Sequence, residues 1–218
     1  MAVSKAEIRA MSIVLLGDFN PIIFQPRWFV SEELITQLEG EDAAVEIVHP
    51  DVTIFQLPWL GVNVSRDRAM FSCSAQPYFE RVTGVASQTF ELLRHTPIRM
   101  LGLNNEAHIR ATSEEKWHSL GHSLAPKDFW NEFLSKPGMQ NLTIRQIPRE
   151  DGFKGHTEVS LQPSTRVDPG VFTRINEHFI VADPETIGAD AAVTLIRDKW
   201  QSSTEFAERF FAKVETLL

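Results

Sequence analysis

His118 and His122 stand four residues apart in His118-Ser119-Leu120-Gly121-His122. On a helix this spacing brings both imidazoles to one face, where they can share a zinc ion. The hydrolytic version of such a pair carries a glutamate directly after the first histidine, and Ser119 occupies that place here. Glu114 and Glu115 are the nearest candidates for a third ligand. A solvated helix face explains the pair more simply, so no metal is expected.

A second constellation lies along residues 98–111. Asn104, Glu106 and His108 alternate there, and alternation places them on one side of a strand. A carboxylate beside an imidazole can move protons. With Arg99 on the same segment, these four residues form the candidate ligand-binding set of a pocket between sheet and helices. An exposed cross-strand pair is the plainer reading.

Asp18, in Gly17-Asp18-Phe19-Asn20-Pro21, follows a buried run, where sites are often built; it also fits an ordinary Asx turn. Cys73 acts as a nucleophile only beside a base, and as a buried strand cysteine it is a small hydrophobe. Arg66 and Arg68 share a strand face and can grip an anion or simply face water. No residue is assigned a catalytic role and no cofactor is expected. The chain has no GxGxxG, GxxxxGK[ST], GxSxG or CxxC pattern. That removes P-loop, Rossmann, hydrolase-elbow and zinc-ribbon chemistry.

Two aromatic segments, 19–29 and 57–61, fall where Pro21, Pro26, Pro58 and Gly61 demand turns. Their Phe24, Trp28, Phe29, Trp59 and Leu60 are candidate interface residues if the loops protrude. The same loops cap the end of the core if they fold back. Both readings stand at this point.

The elements that must hold these residues follow from periodicity. Residues 1–11 read as a polar lead-in and 12–19 as a buried strand. Ser31 caps a short helix that Gly40 ends. Residues 45–57 and 62–74 form one long hairpin, and Pro77 opens an amphipathic helix through 93. Residues 98–111 make another strand, with Gly102 as a bulge. Short helices follow over 113–124 and 128–134, then strands over 142–148, 157–162 and 171–181. The final segment, 189–218, repeats apolar residues every three or four positions: Ala192, Val193, Ile196, Trp200, Ala207, Phe211 and Val214. Such a stripe needs a sheet to lie on.

The expected fold is therefore α+β: a mostly antiparallel sheet covered on one face by the long C-terminal helix and by helix 77–93. Element order in the two halves points to pseudo-duplication. A single domain over 1–218 is expected, with a fallback boundary near residue 112.

The chain carries a formal charge of −8, spread as nine basic and thirteen acidic residues through Thr112 and twelve and sixteen after it. Such a surface repels phosphates and anionic lipids, so neither nucleic acid nor membrane is an expected partner. One cysteine and no apolar stretch of about 18 residues point to a cytoplasmic protein.

The strand Pro97-Ile98-Arg99-Met100-Leu101-Gly102-Leu103-Asn104-Asn105, following a helix, with a long C-terminal helix bearing Phe210 near its end, resembles an uncharacterised, sporadically distributed family of bacterial proteins. The resemblance covers 78–104 and the last helix. The family's commoner form has arginine and an aromatic near the glycine-leucine step, where Met100 and Asn104 stand here. It implies a fold and no activity. The expectation for function is a non-enzymatic protein-binding component of a bacterial cytoplasmic system, of the defence-related or toxin-neutralising kind. It would have a protein partner or form a homo-oligomer. The alternative is a small-molecule binder or enzyme with its pocket around His108 and Glu106.

Overall fold

A computed structural model describes residues 6–181 and 188–218. Strand β1 (Ile8–Gly17) buries every second residue, with Arg9, Met11, Ile13 and Leu15 turned inward. Two short helices follow, α1 (Pro26–Ser31) and α2 (Gln37–Glu41). Strands β2 (Ala44–His49), β3 (Val52–Gln56), β4 (Gly61–Ser65) and β5 (Arg68–Cys73) form a meander, and α3 (Phe79–Leu92) closes the first half. The second half follows a similar order with three meander strands in place of four. Strand β6 (Ile98–Arg110) leads to α4 (Glu114–Leu124) and α5 (Asp128–Asn131), then to β7 (Leu142–Gln146), β8 (Gly155–Pro163), β9 (Gly170–Ile180) and α6 (Asp190–Glu215).

The nine strands among the described residues join one antiparallel sheet in the order β2-β3-β4-β5-β1-β6-β9-β8-β7. In each half the last meander strand returns beside the first, β5 to β1 and β9 to β6. The halves meet where β1 pairs with β6, with Ser12 opposite Asn104, Ile8 opposite His108 and Leu16 opposite Met100. The first half contributes five strands and the second four. The expected α+β class and the helix-covered sheet are present.

Helices α3 and α6 cover one face. Helix α6 buries the stripe named above, and Trp200 Nε1 donates to Glu80 Oε1 at 2.9 Å, tying α6 to α3. Under α6, buried Arg9 pairs with Glu208 at 2.7 Å and lies 4.6 Å from the centre of the Phe211 ring. An arginine there satisfies a buried charge and packs its flat face at once.

Local details depart from the sequence-based expectations. The single hairpin over 45–74 is four strands. Pro50 and Asp51 turn the chain between β2 and β3, and a Ser65 Oγ–Asp67 Oδ1 bond of 2.7 Å supports the turn between β4 and β5. Short polar turns inside a β-branched run are hidden by the hydrophobic pattern around them. The helix expected over 31–40 is two: Ser31 ends α1, and Thr36 caps α2 in a capping box with Glu39. Gly102 is no bulge, because β1–β6 register runs unbroken past it and shifts at Leu16/Gly17 instead. A Cβ on Gly17 would sit 2.2 Å from the Pro97 carbonyl oxygen, so the irregularity falls where the backbones touch. The lead-in already joins β1 at Ile8; its residues 1–5 lie outside the described part.

Candidate functional site

Among the described residues, no helix lies on the face of the sheet opposite α3 and α6. Side chains at even positions of β1 point there, as do Arg68, Met70 and Ser72 of β5 and Asn104, Glu106 and His108 of β6. Phe172, Arg174, Asn176 and His178 of β9 complete the floor. Two depressions of about 560 and 400 Å³ share Ser12, Met70 and Glu106, so they form one groove. It follows β1 from Ile8 to Leu16, about 27 Å at ~3.4 Å per residue.

Glu106 lies between Ala10 on β1 and Arg174 on β9. Burial pushes its carboxyl above the usual range, against the pull of Arg174 and Arg166. No hydrogen bond or ion pair holds this carboxylate among the described residues. His108 Nδ1 lies 2.8 Å from Ser164 Oγ, and its ring centre is 4.8 Å from that of Phe172. Ser164 Oγ already accepts from the Arg166 and Val167 backbone N–H groups, at 3.1 and 2.9 Å. Its own proton is thus left for His108 Nδ1, which places the imidazole proton on Nε2. Burial, and then Arg166, lower the His108 pKa, which favours the neutral ring. Asn104 Oδ1 accepts from Asn176 Nδ2 at 2.6 Å.

Three of the four candidate ligand residues therefore share one surface. Arg99 does not join them. It sits at the far end of β6, donating to the Gly17 carbonyl at 3.1 Å and pairing with Asp18 at 3.0 Å. Arg66 pairs with Asp51 at 2.5 Å, leaving only Arg68 of that couple in the groove. Burial raises the Cys73 thiol, which disfavours the nucleophilic thiolate.

The aromatic loops do not protrude. Phe24, Phe29, Trp59 and Leu60 are at most 4 % exposed, and Trp28 is half-buried. The Phe29 and Phe55 ring centres are 5.4 Å apart, and those of Phe24 and Phe90 are 6.1 Å apart. Trp59 Nε1 donates to Glu39 at 2.8 Å, and the Arg81 guanidinium lies 3.8 Å over the indole while gripping Glu39 at 2.7 and 2.8 Å. Burial alone would raise the Glu39 carboxyl, but Arg81, Thr36 and Trp59 hold it down at about 2. These five residues cap the core, because a sheet end this apolar needs a lid.

The exposed aromatics are elsewhere. Phe129, Trp130, Phe133 and Leu134, on α5 and the turn after it, are 62, 48, 69 and 53 % exposed. Nothing in the sequence marks them as outward: Phe129/Phe133 and Trp130/Leu134 have the four-residue spacing of a buried stripe. Beside them, α4, residues 135–140 and the end of β8 line an open cleft of about 780 Å³. His118 and His122 line it, with ring centres 6.3 Å apart. Among the described residues no three His, Cys, Asp or Glu side chains gather as a metal site. No helix among them is long and apolar enough to cross a membrane.

Fold and surface together define an α+β protein with one antiparallel sheet covered by helices on one face. No protein-family model matches the chain, and no curated protein matches it.

Proposed function

We propose that this chain is a non-enzymatic, protein-binding component of a bacterial cytoplasmic system, contacting its partner through the second-half insert at 128–134. The observation that carries this reading is the group Phe129, Trp130, Phe133 and Leu134, all about half exposed or more. Large aromatic side chains rarely crowd together in water unless another surface covers them. Aromatic anchors of this kind also supply most of the energy at protein interfaces. Three aromatic rings and Leu134 anchor an interface; a stable one needs roughly 20–30 residues a side, so the neighbouring α4 surface belongs to it.

The test compares wild type with a Phe129→Ser/Phe133→Ser variant as bait in host extract, with crosslinking and mass spectrometry. The reading predicts a stoichiometric partner crosslinked near 128–134 and lost with the variant. Partners retained by the variant, or crosslinks confined to other surfaces, refute it. A shift from dimer to monomer in sedimentation would make the partner a second copy.

A further inference from the structure

From the groove on the uncovered sheet face we infer a second binding site, specific for an extended acidic segment of a partner chain. This inference is independent of the 128–134 surface. Its first support is charge. The groove collects Arg68, Arg166 and Arg174 against the single carboxylate of Glu106. An excess of cations in one groove is unusual on a chain of formal charge −8, and it selects an anionic occupant. Arg166 and Arg174 make no side-chain hydrogen bond or ion pair among the described residues, so their donors are free for one.

The second support is length. Arg68 lies opposite Leu16 of β1, whereas Arg174 lies abreast of Ala10, across Glu106. Six residues of strand separate the two levels, about 20 Å. Arg68 Nη2 donates to Met70 Sδ at 3.2 Å, which draws its guanidinium part of the way back along the groove, while three strand steps of about 4.8 Å from β5 to β9 hold it apart from Arg174 across the sheet. An extended chain covers ~3.3–3.6 Å per residue, so two acids six residues apart reach both. Between the poles the floor is Met70 and Ser12. That middle suits apolar or small side chains, with the arginines making charge-assisted bonds at the ends. Glu106 opposes such a ligand and should limit its affinity.

The test uses fluorescein-labelled octapeptides with an apolar middle and glutamates at positions 1 and 7, read by fluorescence polarisation. Two comparison sets carry lysines at those positions, or both glutamates adjacent at one end. The spaced acidic peptides should bind best, and binding should weaken as salt rises. Arg68→Gln and Arg174→Gln should each weaken binding by about tenfold or more. Glu106→Gln should strengthen it, a gain that misfolding cannot imitate. Equal binding of the lysine peptides, no preference for spacing, or indifference to the arginine variants would overturn the inference. So would complete competition by millimolar inorganic phosphate, which would make the site one for a free anion. A change of oligomeric mass in Arg174→Gln would make the occupant a second copy and overturn it equally.

Discussion

The two halves share a similar element order but treat their helical inserts in opposite ways. In the first, α1 and α2 fold onto the sheet end and bury Phe24 and Phe29 completely. In the second, α4 and α5 leave Phe129 and Phe133 in water and bury only Leu120. Each half also sets an arginine over an aromatic ring: Arg81 over Trp59 at 3.8 Å, and Arg149 over Phe179 at 3.9 Å. The first guanidinium is partly open; the second is 4 % exposed, clamped between Asp151 at 2.8 Å and Glu177 at 2.9 Å. A similar element order thus fixes where an insert leaves the sheet. Side-chain packing decides whether that insert becomes core or surface.

Several substitutions probe this contrast. Phe29→Ala should cost about 3–5 kcal/mol, the range for a buried aromatic whose site cannot collapse. Denaturant unfolding with an unchanged slope would measure it; a loss under 1 kcal/mol would mean the first insert is not core. Arg149→Ala removes one member of a buried charge group and should cost roughly 3 kcal/mol, since Glu177 loses its partner and Asp151 keeps only Lys199 at 3.3 Å and the Phe153 backbone N–H. Arg81→Ala, on a more exposed pair, should cost about 1 kcal/mol or less. If Arg81→Ala proved the more damaging, the assignment of buried and open clamps would be reversed.

Acid should loosen both clamps. Glu39 is held at about 2 in the folded chain against an ordinary 4.5, and Asp151 at about 2, chiefly by its bonds to Arg149, against 3.8. A carboxyl depressed on folding stabilises fully above its unfolded pKa and loses that stabilisation as pH falls through the folded value. Stability should therefore decline from about pH 5 towards pH 2. Asp151→Asn and Glu39→Gln should each flatten part of that decline while lowering stability at pH 7. An unchanged slope in both variants would contradict the clamps. The smallest effect belongs to the second insert: Phe133→Ala should change stability by no more than about 0.5 kcal/mol, while removing part of the proposed docking surface.

Much of the architecture was legible from periodicity. The 3.6-residue stripe of α6 is long, and its demand for a sheet is met. Alternation put Asn104, Glu106 and His108 on one face of β6, and all three line the groove. The short turns within 45–74 were not legible, because β-branched residues run through them on both sides. Arg166 and Arg174 escaped notice too: one sits on a loop and the other on a strand whose pairing with β6 brings it opposite Glu106. Long-range pairing leaves no local trace in sequence.

The chain alone dictates an α+β body, its long covering helix and the parity of each strand, because those depend on spacing between near neighbours. Whether an aromatic turn caps the core or faces water depends on contacts between distant segments. Phe29 and Phe133 are the same residue type in the inserts of two halves of similar element order. Only tertiary packing gives the first a neighbour in Phe55 and leaves the second outside.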